Sequence, residues 1–349
     1  MGERASLSSI IDARGAGSAR YRAIATAVAA LRRGELVAMP TETVYGLAAD
    51  AYNARAVGKI FIAKGRPRFN PLILHVGTLP GAHQLGEFNK DAEALADAFW
   101  PGPLTLVLPK KPHSLVTDLA TAGLPTVAVR MPAHPVARAL LNAFGDPLAA
   151  PSANRSGHVS ATTAQHVAAD VGLAVSAILD VGPTPIGLES TIVGLAGDEP
   201  VLLRAGGLPR ADIERVIGRA LVLPPARPEG ANGTGIVAPG MLASHYAPDA
   251  KVRLNATSVE EGEALMAFGP DLPEGADKAA LVINLSEAGS LAEAAAHFFA
   301  ALRELDRKAY TIAVMPIPDE GLGEAINDRL RRAAAPRPDT QASDSSSRA

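Results

Sequence analysis

The chain contains no cysteine. Disulfides, thiolate metal sites and thiol nucleophiles are therefore excluded, and the composition fits a cytoplasmic protein. Apolar runs approaching the roughly 20 residues needed to cross a bilayer are also missing, so no membrane partner is expected. No charged-then-apolar leader with a cleavage site is recognisable. Met1-Gly2-Glu-Arg-Ala-Ser6 has the spacing of a myristoylation signal, but a match this short arises readily by chance. Excess charge is lacking too: a net charge of −3 argues against a broad nucleic-acid-binding surface while leaving room for a local basic groove. Lys110-Lys111 reads as a solvated turn that could form a basic edge in local contact with RNA. Among motifs, the P-loop pattern Gly-x-x-x-x-Gly-Lys-Ser/Thr does not occur, and the eight histidines show no His-Glu-x-x-His spacing. Gly321-x-Gly323 lacks the rest of a dinucleotide fingerprint, and no Ser-His-Asp arrangement is recognisable.

What is present is a chain of 349 residues, 48% apolar, long enough for one large core plus a second unit. Ile24, Val28 and Leu31 with Gly34 as a stop predict a helix over Tyr21–Arg33, and Leu36–Pro40 reads as a buried strand feeding a turn at Thr41–Gly46. Further strands are expected at Leu72–Val76, Leu104–Leu108, Thr126–Met131, Leu148–Ala150, Ala177–Val181, Ser190–Val193 and Val201–Arg204. Helices are expected at Ala92–Trp100, Pro135–Phe144, Thr162–Val171 and Ala211–Ile217. Many strands with few strict βαβ units suggest a mixed α/β sheet. Leu223–Ala238 is rich in Pro and Gly and reads as a linker. Beyond it, strands at Lys251–Leu254, Ala280–Leu285 and Thr311–Met315 alternate with helices at Ser290–Ala309 and Gly323–Ala333, a small Rossmann-like pattern. Ser290 and Glu293 stand at capping-box spacing.

One stretch conflicts with its surroundings. In Ala54–Lys64, Val57, Ile60, Phe61 and Lys64 fall at i, i+3, i+4 and i+7, so Lys64 lies on the apolar stripe of a short helix. Gly65 stops that helix and Pro67 forbids its continuation. A lysine turned inward is costly unless an anion meets it. The competing reading of Lys64-Gly65-Arg66 is a salt-bridged surface turn. Flanked by glycine, both cations are expected to serve a ligand rather than the fold.

With Met39-Pro-Thr-Glu-Thr-Val-Tyr-Gly-Leu47 before it and Asn70-Pro-Leu-Ile-Leu-His-Val76 after it, this stretch resembles the YrdC-like family. The family's Lys-x-Arg … Ser-x-Asn signature is complete as Lys64, Arg66, Ser152 and Asn154, the last two within Ala150-Pro-Ser-Ala-Asn154. Pro239-Gly-Met-Leu-Ala-Ser-His-Tyr-Ala-Pro248 resembles a loop of the long, two-domain members. The resemblance covers roughly Tyr21 to Pro248. It implies a YrdC-like twisted mixed sheet with helices plus a smaller C-terminal Rossmann-like α/β domain. The divisions expected are a loose N-terminus at 1–19, a catalytic domain at 20–220, a linker and site loop at 221–248, a Rossmann-like domain at 249–335 and a disordered tail at 336–349.

The activity the resemblance implies is synthesis of threonylcarbamoyl-AMP from L-threonine, bicarbonate and ATP, with pyrophosphate released. The product would pass to a tRNA threonylcarbamoyltransferase. The substrate supplies the nucleophile there, so the site need provide only charge and alignment. Lys64 and Arg66 are the natural phosphate partners, with Ser152 and Asn154 as donors beside them. Mg²⁺ would accompany ATP, held by phosphate oxygens and water without a dedicated protein cage. Carried over by position, Thr43, His75, Arg130, Ala150 and Ser190 fall where relatives contact threonine, with Arg130 gripping its carboxylate. Arg66, Asn70, Thr126, Ser152, Ser160, Arg204 and Tyr246 match nucleotide-contacting positions. On their own residues, His75 reads equally as a satisfied core histidine, Arg204 as a surface strand end and Tyr246 as packing for the linker. Two other functions stand beside this one: an RNA- or ribosome-binding module without catalysis, and a ligase forming a carbamoyl adenylate from carbamoyl phosphate.

Overall fold

A computed structural model of the chain describes residues 9–224 and 246–335. Most of the expected linker and site loop, including Gly240, Met241 and His245, and the expected tail from Pro336 lie outside the described residues.

In the first half the chain runs β1 (Ser9–Asp12), α1 (Ser18–Arg32), β2 (Val37–Met39), β3 (Gly46–Asp50), α2 (Ala54–Lys64) and β4 (Ile73–His75). It continues through α3 (Leu79–His83), α4 (Lys90–Phe99), β5 (Leu104–Pro109), α5 (Asp118–Thr121), β6 (Thr126–Arg130), α6 (Pro135–Phe144) and β7 (Leu148–Ala149). Then come α7 (Ala164–Val171), β8 (Ala177–Asp180), β9 (Thr191–Gly194), β10 (Val201–Arg204) and α8 (Arg210–Ile217). After residue 246 follow β11 (Lys251–Arg253), β12 (Ala264–Ala267), β13 (Leu281–Asn284), α9 (Leu291–Asp306), β14 (Thr311–Val314) and α10 (Leu322–Ala334).

Among the described residues, the strands from β1 to β10 form one mixed sheet in the order β1-β8-β2-β3-β7-β4-β6-β5-β9-β10. The other four form a parallel sheet ordered β11-β14-β12-β13, the Rossmann-like pattern expected of the second unit. One face of the large sheet is covered by α2, α4 and α7, whose Val57, Ile60, Phe61, Leu95 and Val167 pack on Leu72, Leu74, Leu106 and Val129. The opposite face is covered over part of its width by α1 and α6, through Ile24, Leu31, Leu140 and Phe144. Beside those two helices, Ile73, Val107, Ala128, Ile192 and Leu203 form a thin apolar floor. That floor is where the site lies.

The N-terminus departs from expectation. Ser9–Asp12 pairs in parallel with β8, and Arg14 reaches Asp180 at 2.8 Å. An edge strand held mainly by backbone hydrogen bonds, with one half-buried residue and the rest exposed, leaves little periodic signal. The alanine-rich strands β3 and β12 are buried, β12 throughout and β3 in all but its last residue, so alternation carries no information about them. No helix of the described residues is long and apolar enough to cross a membrane.

Candidate active site

The local sequence fixes the end of α2 closely. Asn53 caps its start by accepting from the Arg55 and Ala56 backbone N–H groups, and Gly65 ends it in the left-handed region at φ 60°. Lys64 is therefore driven inward, where only 4% of it is exposed. Its ammonium donates to the backbone carbonyls of Ser152, at 2.6 Å, and Asn154. The helix end is thus tied to the loop after β7. Burial, then the neighbouring Arg66 charge, holds the Lys64 pKa well below the ordinary lysine range.

Arg66 is also buried, and its role in the fold is larger than its glycine neighbour implied. It donates to the Asn70 carbonyl at 3.2 Å, to Asn70 Oδ1 at 2.7 Å and to the Pro71 carbonyl at 2.8 Å. Beside the expectation that both cations serve a ligand rather than the fold stands the finding that each also donates to buried backbone oxygens. Burial and the Arg204 charge push the Arg66 pKa down to about 10.

Sheet register aligns the remaining groups on one face. His75 pairs with Arg130, Ile73 with Ala128, and Ala150 lies across from Ile73 through its N–H to the Ile73 carbonyl. Gly46 bridges to Ser152. A Cβ at Gly46 would stand 3.3 Å from that of Ala150, so the Thr41–Gly46 turn lies close over the floor. The resulting cavity is lined by Thr43, Arg66, His75, Arg130, Ala150, Ser152, Ser190, Arg204 and Tyr246, all expected site residues. Its empty volume is about 530 Å³ including the space open to solvent.

Arg130 is held by three fixed acceptors: the Gly102 carbonyl at 3.2 Å, Thr43 Oγ1 at 2.8 Å and Glu42 Oε1 at 2.6 Å. A guanidinium has five N–H groups, so two remain for a ligand. Glu42 in turn accepts from the Ala133 and His134 backbone N–H groups at the start of α6. Burial pushes its pKa up, but Arg130 and these N–H groups outweigh that and hold it below the usual range. Arg204 donates twice to the Ser190 carbonyl, at 2.9 and 3.1 Å, while the Ser190 hydroxyl meets Thr105 Oγ1 at 2.8 Å. His75 is buried, and its Nδ1 sits 3.3 Å from the Ile73 carbonyl. Burial and the Arg130 charge push its pKa down to about 3, so its ring is neutral.

Other expected residues stand behind the wall or away from it. Asn70 supports Arg66, and Asn154 bonds the Arg155 and His158 carbonyls. Among the described residues, Asn70 Nδ2 and Asn154 Oδ1 are buried without a hydrogen-bond partner. Ser160 donates to Glu189 Oε1 at 2.5 Å. Thr126 shares the site face of β6 but lies four residues from Arg130, about 13 Å along the strand, and does not line the cavity.

The structure adds Glu42, Glu189 and Arg329 to the residues around the cavity. Glu42 sits within the quoted Met39–Leu47 run, as a charge in an otherwise buried segment. Glu189 is the neighbour of Ser190. Arg329 falls on the apolar stripe of α10 with Ala325, Ile326, Leu330 and Ala333, the same signal that marked Lys64.

Comparison with known proteins gives the following. The Sua5/YciO/YrdC family model, described as telomere recombination, matches residues 29–206. A second model, described as the C-terminal domain of threonylcarbamoyl-AMP synthase, matches residues 208–335. A threonylcarbamoyl-AMP synthase of Pyrococcus abyssi is 44% identical over 321 residues, covering 87% of this chain and 92% of that protein. One from Bacillus subtilis is 43% identical over 327 residues, covering 90% and 93%. The crystal structure of P. abyssi Sua5 complexed with L-threonine superposes with a TM-score of 0.84 at 41% identity, covering 94% of this chain and 98% of that one.

Proposed function

The chain belongs to the Sua5/YciO/YrdC family in its two-domain form, and from that premise we propose how its cavity makes threonylcarbamoyl-AMP. The enzyme is a nucleotidyltransferase that joins L-threonine, bicarbonate and ATP and releases pyrophosphate, a step of tRNA modification. The observation that carries the reading at this site is Arg130, buried and aimed by three acceptors, with two N–H groups left over.

In our reading those two groups grip the threonine carboxylate as a fork, while Thr43, His75, Ala150 and Ser190 shape the pocket around the amino acid. The neutral His75 ring adds no charge beside the amine. Bicarbonate takes up a proton and loses water to give carbon dioxide; the ammonium loses one proton, and the amine adds to that carbon with loss of a second, forming the N–C bond of a carbamate. A carbamate oxygen then attacks the α-phosphorus, and the bond to the bridging oxygen breaks as pyrophosphate leaves. Arg66 and Arg204 line the cavity on the other side and offset the charge of the converging anions, with Ser152 donating beside them. Asn70 acts through Arg66, Ser160 through Glu189, and Lys64 through the 152–154 loop it holds. Tyr246 closes the wall next to Arg204. Thr126 marks the far end of the floor, within reach of the nucleotide only if the base extends along β6.

Magnesium would enter with ATP. A hard cation takes oxygen ligands, and the phosphates and water supply most of them. Bound there, the ion would neutralise developing charge on the leaving pyrophosphate. We place the reaction in the cytoplasm, with hand-over of the adenylate to a tRNA threonylcarbamoyltransferase.

Pyrophosphate release with ATP, bicarbonate and each amino acid in turn tests this reading. Release should require L-threonine and fall sharply with serine, which lacks the methyl group. Release at the same rate without any amino acid would sink it.

A further inference from the structure

Glu189 poses an electrostatic problem for a nucleotide site. Its side chain lines the same cavity as Arg66, Arg204 and Ser152, yet a carboxylate there repels a polyphosphate. The answer lies on α10, in the second unit. Arg329 is wholly buried, and its Nη2 and Nε donate to Glu189 Oε2 at 3.1 and 3.2 Å. Its Nη1 donates to the Ala205 carbonyl at 2.6 Å, directly after Arg204. The same guanidinium lies 5.3 Å from the centre of the Tyr246 ring. Asp328 accepts a further bond at 3.0 Å.

The docking that delivers Arg329 is tight. A Cβ on Gly187, at φ 76°, would collide with the α9 backbone at Ala295 and Ala296. Arg303 of α9 pairs with Asp170 at 2.7 Å and donates to the Ser160 carbonyl at 3.3 Å. Ser160 thus holds Glu189 Oε1 while being gripped from behind by α9.

We propose that Arg329 is a positioning residue of the nucleotide site, supplied by the C-terminal unit to neutralise Glu189 and seat Tyr246 beside Arg204. This deepens the functional reading above and rests on it: the second unit contributes the one cation that is hydrogen-bonded to Glu189 among the described residues, beside the place of ATP. Glu189 itself ties the 188–190 segment to Ser160 on one side and to Arg329 on the other.

Binding of ATP, ADP, AMP and adenosine to the full-length chain tests this, measured by calorimetry on wild type, Arg329→Gln, Arg329→Lys and the double variant Arg329→Gln/Glu189→Gln. A local electrostatic role predicts at least about tenfold weaker ATP binding for Arg329→Gln, a smaller loss for ADP and AMP, and adenosine within about twofold of wild type. The double variant should recover most of the ATP affinity, because the offending charge is gone. Arg329→Lys keeps the charge but loses the fork, so its ATP affinity should fall between those of wild type and Arg329→Gln. A uniform loss across all four ligands, unchanged ATP binding, or a double variant no better than the single would each overturn the inference. Should Arg329→Gln fail to fold, the double variant decides: ATP affinity within about threefold of wild type supports the inference and a tenfold loss overturns it. No binding of any adenine nucleotide by wild type would overturn the functional reading itself, and this inference with it.

Discussion

At the residue scale, the site works because its charges are pinned before any ligand arrives. Arg130 shows this most directly. The Gly102 carbonyl, Thr43 and Glu42 each take one N–H from a different nitrogen of its guanidinium, which fixes the plane and leaves one N–H on each Nη. Lysine keeps the charge and loses the fork. Arg130→Lys should therefore raise the threonine concentration needed for half-maximal rate far more than the ATP concentration; equal shifts would show that the residue is no carboxylate clamp. His75 makes a second case. Its pKa falls to about 3, through burial first and the Arg130 charge second, against about 6.5 in an unfolded chain. The unfolded state thus takes up a proton first on acidification. The stability that depends on a neutral His75 is complete above about pH 6.5 and drains away as pH falls towards 3. By pH 5 that amounts to about 2 kcal/mol from this residue. His166, lowered to about 4 by burial and by Arg303, acts in the same direction. His75→Asn should consequently flatten the fall in Tm between about pH 7 and pH 5. Parallel Tm curves for the two proteins would contradict a buried neutral ring.

At the scale of elements, α2 and the loop after β7 form one unit through Lys64. Its ammonium spans the Ser152 and Asn154 carbonyls, and the Ser156 N–H returns to the Lys64 carbonyl at 2.8 Å. Lys64→Met keeps the apolar stem but leaves both carbonyls without this donor. Amide exchange over residues 150–158 should then accelerate while the strands β4 and β6 keep their protection. Unchanged exchange in the loop would mean that Lys64 does not hold it. The inward lysine was legible in the sequence because its spacing matched the apolar stripe of a helix whose cap and stop were also visible. What met it was not legible, since carbonyls of a loop some ninety residues away leave no mark on local pattern. The same limit explains Glu42 and Glu189, which sit in buried runs whose chemistry depends on register between distant strands. Strands β3 and β12 escaped for a different reason: alanine-rich segments buried on both faces have neither alternation nor β-branched residues to betray them.

At the scale of the whole molecule, the two units share a core. Val44, Val159 and Leu188 of the first pack with Tyr246, Phe298 and Phe299 in a single apolar cluster. Separation would expose that surface and leave Glu189 without Arg329, so the second unit is part of the site and not an appendage. Truncation after Leu221 should lower the Tm of the remaining unit and weaken ATP binding together. ATP consumption should become uncoupled from product formation as an unstable carbamate escapes. Full, tightly coupled synthesis by the truncated chain would reduce the second unit to a tether. The central claim is that threonine, carbon dioxide and the α-phosphoryl group are joined in this one cavity. Its most direct test is to supply ¹³C-labelled bicarbonate with ATP and L-threonine and to identify the labelled product by mass and ¹³C NMR. The account predicts label in the carbamoyl carbon of a threonine-bearing adenylate, with one pyrophosphate released per label incorporated. Pyrophosphate formed without labelled adenylate, or label incorporated without threonine, would contradict it.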